Sequence, residues 1–438
     1  MANPEPLLRN HSAQQPVVIT GIGIVTPLGH DCALVFQRVC QSESAIAPIR
    51  RFDASSYPLN HAAELPSLDT ESFGISDRER HYLDSVQVSA LIAAEIAIRD
   101  SGLELPRQAV RGNSRPVQGK NRMGTAIGIS NTTYEPIHSA LERIAAGRIR
   151  QVSPHTLNQS RPCGCAALVS IRYGLRGPML SQNAASATGA LNLISAFDAI
   201  RSGRADVMIA GGADSGVNPL CTAIFSQNMT GSRKGRCRPF DAERDGVILS
   251  EGAALVVMES LEHAQARGAR IYGEMLGYGL RSDALDMSVI PEEAPGLTLS
   301  IEEALLDSGL QPEDIRYINV HGTATDRNDV AEASAIRAIF PQGEKAPWVS
   351  GTKGNLGHML AASGSVEFVF ALLASRHDLV PPTGGLRVPD PRCNLRHVIG
   401  DPISTPVPHA MSLSAGMGGM NSAIVVRGEK APWTPKKS

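Results

Sequence analysis

Tyr173–Ile200 reads YGLRGPMLSQNAASATGALNLISAFDAI. A short apolar run at about 179–183 is followed by small residues and then by apolar positions at helical spacing over about 187–201. The stretch therefore predicts a strand that turns directly into a core helix, with Ser186 at the turn, in the helix's first turn. Free N–H groups at a helix start stabilise an anion that forms beside them. Ser186 is accordingly either an N-cap serine or a nucleophile set next to its own oxyanion donors, and the segment alone leaves both open.

The same rhythm runs along the chain. Short apolar runs predict strands at about 16–23, 124–130, 179–183, 205–212 and 252–259, with helices near 86–101 and 187–201. A second series follows, with strands near 270–280, 316–320, 348–350, 408–414 and 422–427 and helices near 297–309, 329–340 and 360–376. Two similar α/β halves are expected, 16–260 and 261–428. The first carries cap or insertion segments within 46–121: a Pro-, Ser- and charge-rich stretch at 46–80 and an exposed loop at 105–121. The ends, 1–15 and 429–438, are expected to be loose.

The chain has 438 residues, 42% of them hydrophobic, enough for a large core. Lys and Arg total 41 against 43 acidic residues, a net charge of −2, which excludes sequence-wide attraction to nucleic acid or anionic membrane. No run approaches the roughly 20 apolar residues that span a bilayer, and the first fifteen residues lack a signal-peptide core, so a cytoplasmic protein is expected. The seven cysteines are scattered without a C-x-x-C pair, so reduced thiols are expected rather than a disulfide framework or a metal site.

Further motifs accompany the opening stretch: VVITGIGIVTPLG (Val17 to Gly29), YGLRGP (Tyr173 to Pro178), RPFDAERDG (Arg238 to Gly246), VHGTATDRND (Val320 to Asp329), GTKGNLGH (Gly351 to His358) and LSAGMGGMN (Leu413 to Asn421). In this order they resemble the β-ketoacyl-acyl-carrier-protein synthases, particularly the elongating class of fatty-acid and type II polyketide synthesis. The resemblance runs from about Pro16 to Gly428. It implies the thiolase fold, a duplicated five-layer αβαβα architecture, and assembly as a homodimer or as a heterodimer with a related ketosynthase. It also implies substrates carried on the phosphopantetheine arm of an acyl carrier protein, with no cofactor of the enzyme's own.

By this resemblance Ser186 stands where the family keeps its cysteine nucleophile, and His321 and His358 stand at the catalytic pair that stabilises the enolate formed from a malonyl thioester. Lys353 and Glu367 match a buried pair that orients the histidines; their bland alternative is a surface lysine and a solvated glutamate. Thr323 and Thr325 match hydroxyls that hold the pantetheine arm, or are ordinary strand-end threonines. The backbone N–H groups of Ser186 and Met417 would form the oxyanion hole, which needs no particular side chain. Ala415 and Met417 replace two phenylalanines of the family, which changes the gate and the acyl pocket. Arg233, Lys234 and Arg236, with Arg238, form a basic cluster that would dock an acidic carrier protein or is simply a solvated face.

A serine ester is a poorer acyl donor to carbon than a thioester. The expected function is therefore a ketosynthase-like acyltransferase or condensing enzyme in which Ser186 accepts the acyl group, with His321 or His358 as general base. Two alternatives stand beside it: a non-condensing partner subunit like a chain-length factor, which usually loses nucleophile and histidines together, and a malonyl decarboxylase, which needs only the histidines.

Overall fold

Ten strands join into one continuous sheet in the computed structural model, which describes residues 15–108, 120–131, 133–228, 230–288 and 290–436. In chain order they are β1 (Val17–Val25), β2 (Met123–Gly128), β3 (Met179–Leu180), β4 (Val207–Ser215) and β5 (Glu251–Ser260), then β6 (Gly273–Ser282), β7 (Ile315–Asn319), β8 (Trp348–Ser350), β9 (His409–Gly416) and β10 (Met420–Gly428). Across the sheet the order is β8-β7-β9-β10-β6-β1-β5-β4-β2-β3. Reading outward from the centre, β1-β5-β4-β2-β3 is repeated by β6-β10-β9-β7-β8, each strand five places on, with the same parallel and antiparallel pairings. The halves meet where Val17–Ile19 of β1 pairs antiparallel with Gly273–Met275 of β6.

The helices repeat as well. α1 (Ser85–Ser101), α2 (Gly164–Tyr173) and α3 (Thr188–Arg201) belong to the first half, and α4 (Pro295–Ser308), α5 (Asp326–Ile339) and α6 (Ala361–His377) to the second. α3 and α6 pack against each other and against strands of both halves. α1 and α2 cover the outer side of one half, while α4 lies on β6 and β10 with α5 beside it. The result is the five-layer thiolase fold.

Strand alternation builds the layers. Met208, Ala210, Val256 and Met258 face the central core with α3 and α6, whereas Val207, Ile209, Leu255 and Val257 face the outer core with α1 and α2. Ile424 and Val426 likewise face inward, while Ala423 and Val425 face α4 and α5. Strands covered on both faces read as unbroken apolar runs, which is why VVITGIGIV is buried at all nine positions. α6 is buried from Ala361 to Ser375 and so lacks a polar face, as a central-layer helix must. α1 is bounded by local signals: Asp84 and Gln87 form a capping box, and Gly102 closes the helix at φ 70°.

The sequence expectations differ from the structure in the helices they left out and in the C-terminal tail, and not in the irregular 46–80 stretch. The cap region 46–80 holds only a two-residue hairpin pair (Ala47–Pro48 with His61–Ala62) and one short helix, and 109–119 of the expected loop lies outside the described residues. α2 and the helices Cys32–Cys40, Tyr134–Ala145 and Pro219–Gln227 are additions to the expected elements; Tyr134–Ala145 does carry a helical period, in Ile137, Leu141 and Ile144. The C-terminal residues 429–436 are not loose. Trp433 stacks edge-on against Phe36 at 5.4 Å and against His377 at 5.1 Å, and Lys436 pairs with Asp31, so this tail covers core side chains. All seven cysteines are free thiols.

Candidate active site

Ser186 lies in a tight turn before α3, where Ala187 N–H donates to Ala184 O at 2.9 Å and Ala184 N–H donates to Thr188 Oγ1 at 2.8 Å. Ala187 occupies the N-cap position, so Ser186 is neither an N-cap nor part of the first helical turn. Ala185 is forced to φ 48°, a left-handed conformation costly for a residue with a Cβ. Ser186 is 8% exposed, and among the described residues neither its Oγ nor its backbone N–H makes a hydrogen bond.

Two glycines allow the other elements to reach this turn. A Cβ on Gly189 would lie 2.4 Å from Ala361 O and 2.3 Å from Ser365 Oγ, so α3 presses directly on the start of α6, three residues beyond His358. A Cβ on Gly416 would lie 2.4 Å from Ala184 O, so the loop after β9, which carries Met417, rests on the Ser186 turn. The Met417 N–H also makes no hydrogen bond among the described residues, and its side chain is 51% exposed. Two unpaired backbone donors thus flank the turn. Ala415 is partly exposed on the same loop.

His321 and His358 stand edge to face with ring centroids 5.5 Å apart, both buried. Leu360 N–H donates to His358 Nδ1 at 3.0 Å, and Ser363 Oγ lies 3.1 Å from the same atom. An Nδ1 that accepts a backbone proton leaves the ring proton on Nε2. Lys353 Nζ donates to His321 O, lies 3.3 Å from His321 Nδ1 and donates to Glu367 Oε1 at 2.5 Å. With Lys353 as donor, His321 also carries its proton on Nε2. Burial and the Lys353 charge hold both imidazoles well below the ordinary histidine pKa, with His358 adding to the effect on His321. The pair is neutral at pH 7 and presents N–H donors. Neither ring offers a bare nitrogen, so the general-base role expected for them does not fit this arrangement.

Lys353 and Glu367 are each 1% exposed, which excludes the surface reading of both. Burial pushes Glu367 up to about 7 against the opposing pull of Lys353; the 2.5 Å contact and the fully buried ammonium favour the ionised pair. Asp214 on β4 accepts the N–H of Ala361 at 3.2 Å and of Ser130 at 3.0 Å, tying the start of α6 to the first half.

Thr323 is buried and Thr325 partly exposed, with their hydroxyls 2.8 Å apart two and four residues beyond His321. In the basic cluster, Arg236 and Arg238 both pair with Glu243, at 3.0 and 3.2 Å. Arg236 is therefore not a free docking cation. Arg233 and Lys234 are exposed, form no ion pair among the described residues, and are held only through backbone N–H bonds to Asp245 Oδ2.

Sequence reasoning missed two buried carboxylates on α5. Glu332 accepts the N–H groups of His321 (2.5 Å) and Gly322 (2.8 Å), and Asp329 accepts those of Phe240 (2.7 Å) and Ala324 (3.1 Å). Burial raises their pKa values to about 8 and about 6. Their signal was a D-x-x-E spacing on the first turns of a helix that directly follows HGTAT. A separate cleft of about 370 Å³, bounded by Arg51, Leu65, Leu83 and Glu251, is not lined by Ser186 or either histidine.

Residues 14–264 match the family model "Beta-ketoacyl synthase, N-terminal domain" and residues 272–387 match "Beta-ketoacyl synthase, C-terminal domain". Among curated relatives, 3-oxoacyl-[acyl-carrier-protein] synthase 2 of Coxiella burnetii is 36% identical over 415 residues, 94% of this chain and 98% of the relative. The enzyme of the same name from Staphylococcus aureus (strain COL) is 33% identical over 420 residues, 95% of this chain and 99% of the relative. Among solved structures, the ishigamide ketosynthase/chain length factor superposes with a TM-score of 0.86 at 28% identity, covering 95% of this chain and 99% of that one. A type II polyketide ketosynthase in complex with its acyl-carrier protein superposes with a TM-score of 0.81 at 28% identity, covering 94% and 99%. With both halves of the family matched in order and the thiolase fold built around a buried His–His–Lys group, this chain belongs to the β-ketoacyl synthase family.

Proposed function

We propose that the protein acts on acyl thioesters presented by an acyl carrier protein, and that the step its site supports best is decarboxylation of a malonyl-type thioester. The observation that carries this reading is the Leu360 N–H donated to His358 Nδ1. With Lys353 at His321 Nδ1, it leaves two neutral imidazoles with Nε2–H groups available to one carbonyl oxygen. As the bond to the carboxylate breaks, carbon dioxide departs and its electron pair moves onto the thioester oxygen. Two preorganised donors in a buried site stabilise that enolate. The enolate is then protonated, or attacks an acyl group as in condensation.

A second reading has Ser186 as acyl acceptor, favoured by its unpaired Oγ and by the two free N–H groups, of Ser186 and Met417, beside it. Without a bare imidazole nitrogen to take its proton, the hydroxyl depends on the helix terminus, which contributes about 1 kcal/mol, so acylation is slow. The presence of both histidines and the lysine argues against a purely non-condensing partner subunit. Arg233 and Lys234 serve as docking cations for the acidic carrier protein. A second ketosynthase-type chain, identical or related, completes the assembly, a reading supported by the likeness to the ishigamide ketosynthase/chain length factor.

The test is incubation with malonyl-loaded acyl carrier protein, followed by mass spectrometry of both proteins. Acetyl-loaded carrier should accumulate with Ser186→Ala as with the native chain, and His358→Ala should slow it by about 100-fold or more. No decarboxylation would overturn this reading. An adduct formed from acyl-loaded carrier and abolished by Ser186→Ala would establish the second.

A further inference from the structure

The segment that carries the basic cluster runs straight under the catalytic loop. Cys237 Sγ lies 3.9 Å from Thr323 O, and a Cβ on Gly322 would lie 3.3 Å from the Pro239 ring. Three residues of these two segments, Phe240 (φ 61°), Gly322 (φ 47°) and Ala324 (φ 62°), sit in the left-handed region. Such backbone persists only where its surroundings fix it.

What fixes it is α5. Asp329 is fully buried, and its two oxygens divide between the segments: Oδ2 accepts Phe240 N–H at 2.7 Å and Oδ1 accepts Ala324 N–H at 3.1 Å. Arg244, whose side chain is 2% exposed, adds a second link from the same side, with Nε 3.7 Å from Asp329 Oδ2 and donating to Thr325 O at 3.2 Å. Glu332, one turn on, has a different geometry. Both of its bonds from backbone come from the catalytic loop, His321 and Gly322, and a third comes from Asn328 Nδ2 on α5 itself at 3.4 Å, so none reaches the basic segment.

We infer that Asp329 is a positioning residue that couples the basic surface segment 233–240 to the loop 321–325, so that seating a carrier protein on Arg233 and Lys234 orders His321, Thr323 and Thr325 for the incoming thioester. Glu332 positions His321 without taking part in that coupling. The inference rests on the carrier-protein reading given above for its ligand, and on the divided hydrogen bonds of Asp329 for its mechanism.

Asp329→Asn keeps the shape but turns one acceptor oxygen into a donor, so one of the two segments loses its anchor. Decarboxylation is measured with malonyl-loaded carrier protein and with malonyl-pantetheine, which has no protein to dock. Asp329→Asn should lower kcat/KM about tenfold more for the carrier-bound substrate than for malonyl-pantetheine, whose own loss reports the catalytic loop's anchor. Glu332→Gln should lower both alike, through kcat. Equal losses on both substrates in Asp329→Asn, or no loss on the carrier-bound one, would overturn the coupling, because a merely structural support affects both. Amide exchange of the native chain supplies a readout that needs neither the variant nor turnover. Added carrier protein should protect the amides of 321–325 together with that of Phe240. If the native chain decarboxylates neither substrate, the proposed function fails while this protection still upholds the coupling; absent protection overturns the coupling.

Discussion

At the scale of single residues, the turn under Ser186 stores strain. Ala185 holds φ 48° and is only partly buried, so its methyl group contributes little packing. Ala185→Gly releases a left-handed conformation that costs about 1–2 kcal/mol and gives back part of this through the freer unfolded chain. A net stabilisation of about 0.5 kcal/mol is expected, read as a higher denaturant midpoint at unchanged slope. A lower midpoint would mean that the turn is not strained. Ser186, His321, His358 and Lys353 could be picked out as candidates in the sequence because each lies in a motif. Their proton positions were not, since these depend on Leu360 N–H and on where Lys353 points.

At the scale of elements, the site depends on how closely the two central helices approach. Gly189 faces backbone, Ala361 O, which cannot rotate away as a side chain can. Gly189→Ala should therefore cost about 3 kcal/mol or more by overpacking and shift the Ser186 turn away from the histidines. Thermal unfolding and the decarboxylation rate should fall together; a variant as stable and as active as the native chain would count against this contact. The halves were visible as alternating strands and helices because the central strands and helices are apolar runs. The helices at 134–145, 164–173 and 219–227 were missed; the apolar stripe of the first, Ile137, Leu141 and Ile144, was there to be found, although Leu141 and Ile144 stay exposed at the margin of the fold.

At the scale of the whole molecule, burial of two neutral histidines links stability to pH. Both have folded-state pKa values below the ordinary 6.5, so as pH falls through 6.5 the unfolded chain takes up protons that the folded chain refuses. Their contribution is fully present above that value and is lost below it. The stability difference between the native chain and His358→Asn, which keeps an acceptor for Leu360 N–H, should shrink between pH 7 and pH 5. The decline should not exceed about 1.4 kcal/mol per pH unit, the limit for one proton. A difference that stays flat in chemical denaturation would show that His358 takes up its proton as readily in the fold as in the unfolded chain.

The sequence by itself determined the order and type of the principal elements, the doubling of the architecture and the family, because hydrophobic period and motif spacing are local properties of the chain. Only the tertiary structure decided that Ser186 lies outside the helix, that both imidazoles are donors, that Glu243 bridges Arg236 and Arg238, and that Trp433 packs over the core. It also decided that Asp329 joins two segments 84 residues apart, Phe240 and Ala324. Each of these depends on the direction of one N–H group or on the exclusion of water at one point. Those are set by which distant segments fold against each other, and no local period records them.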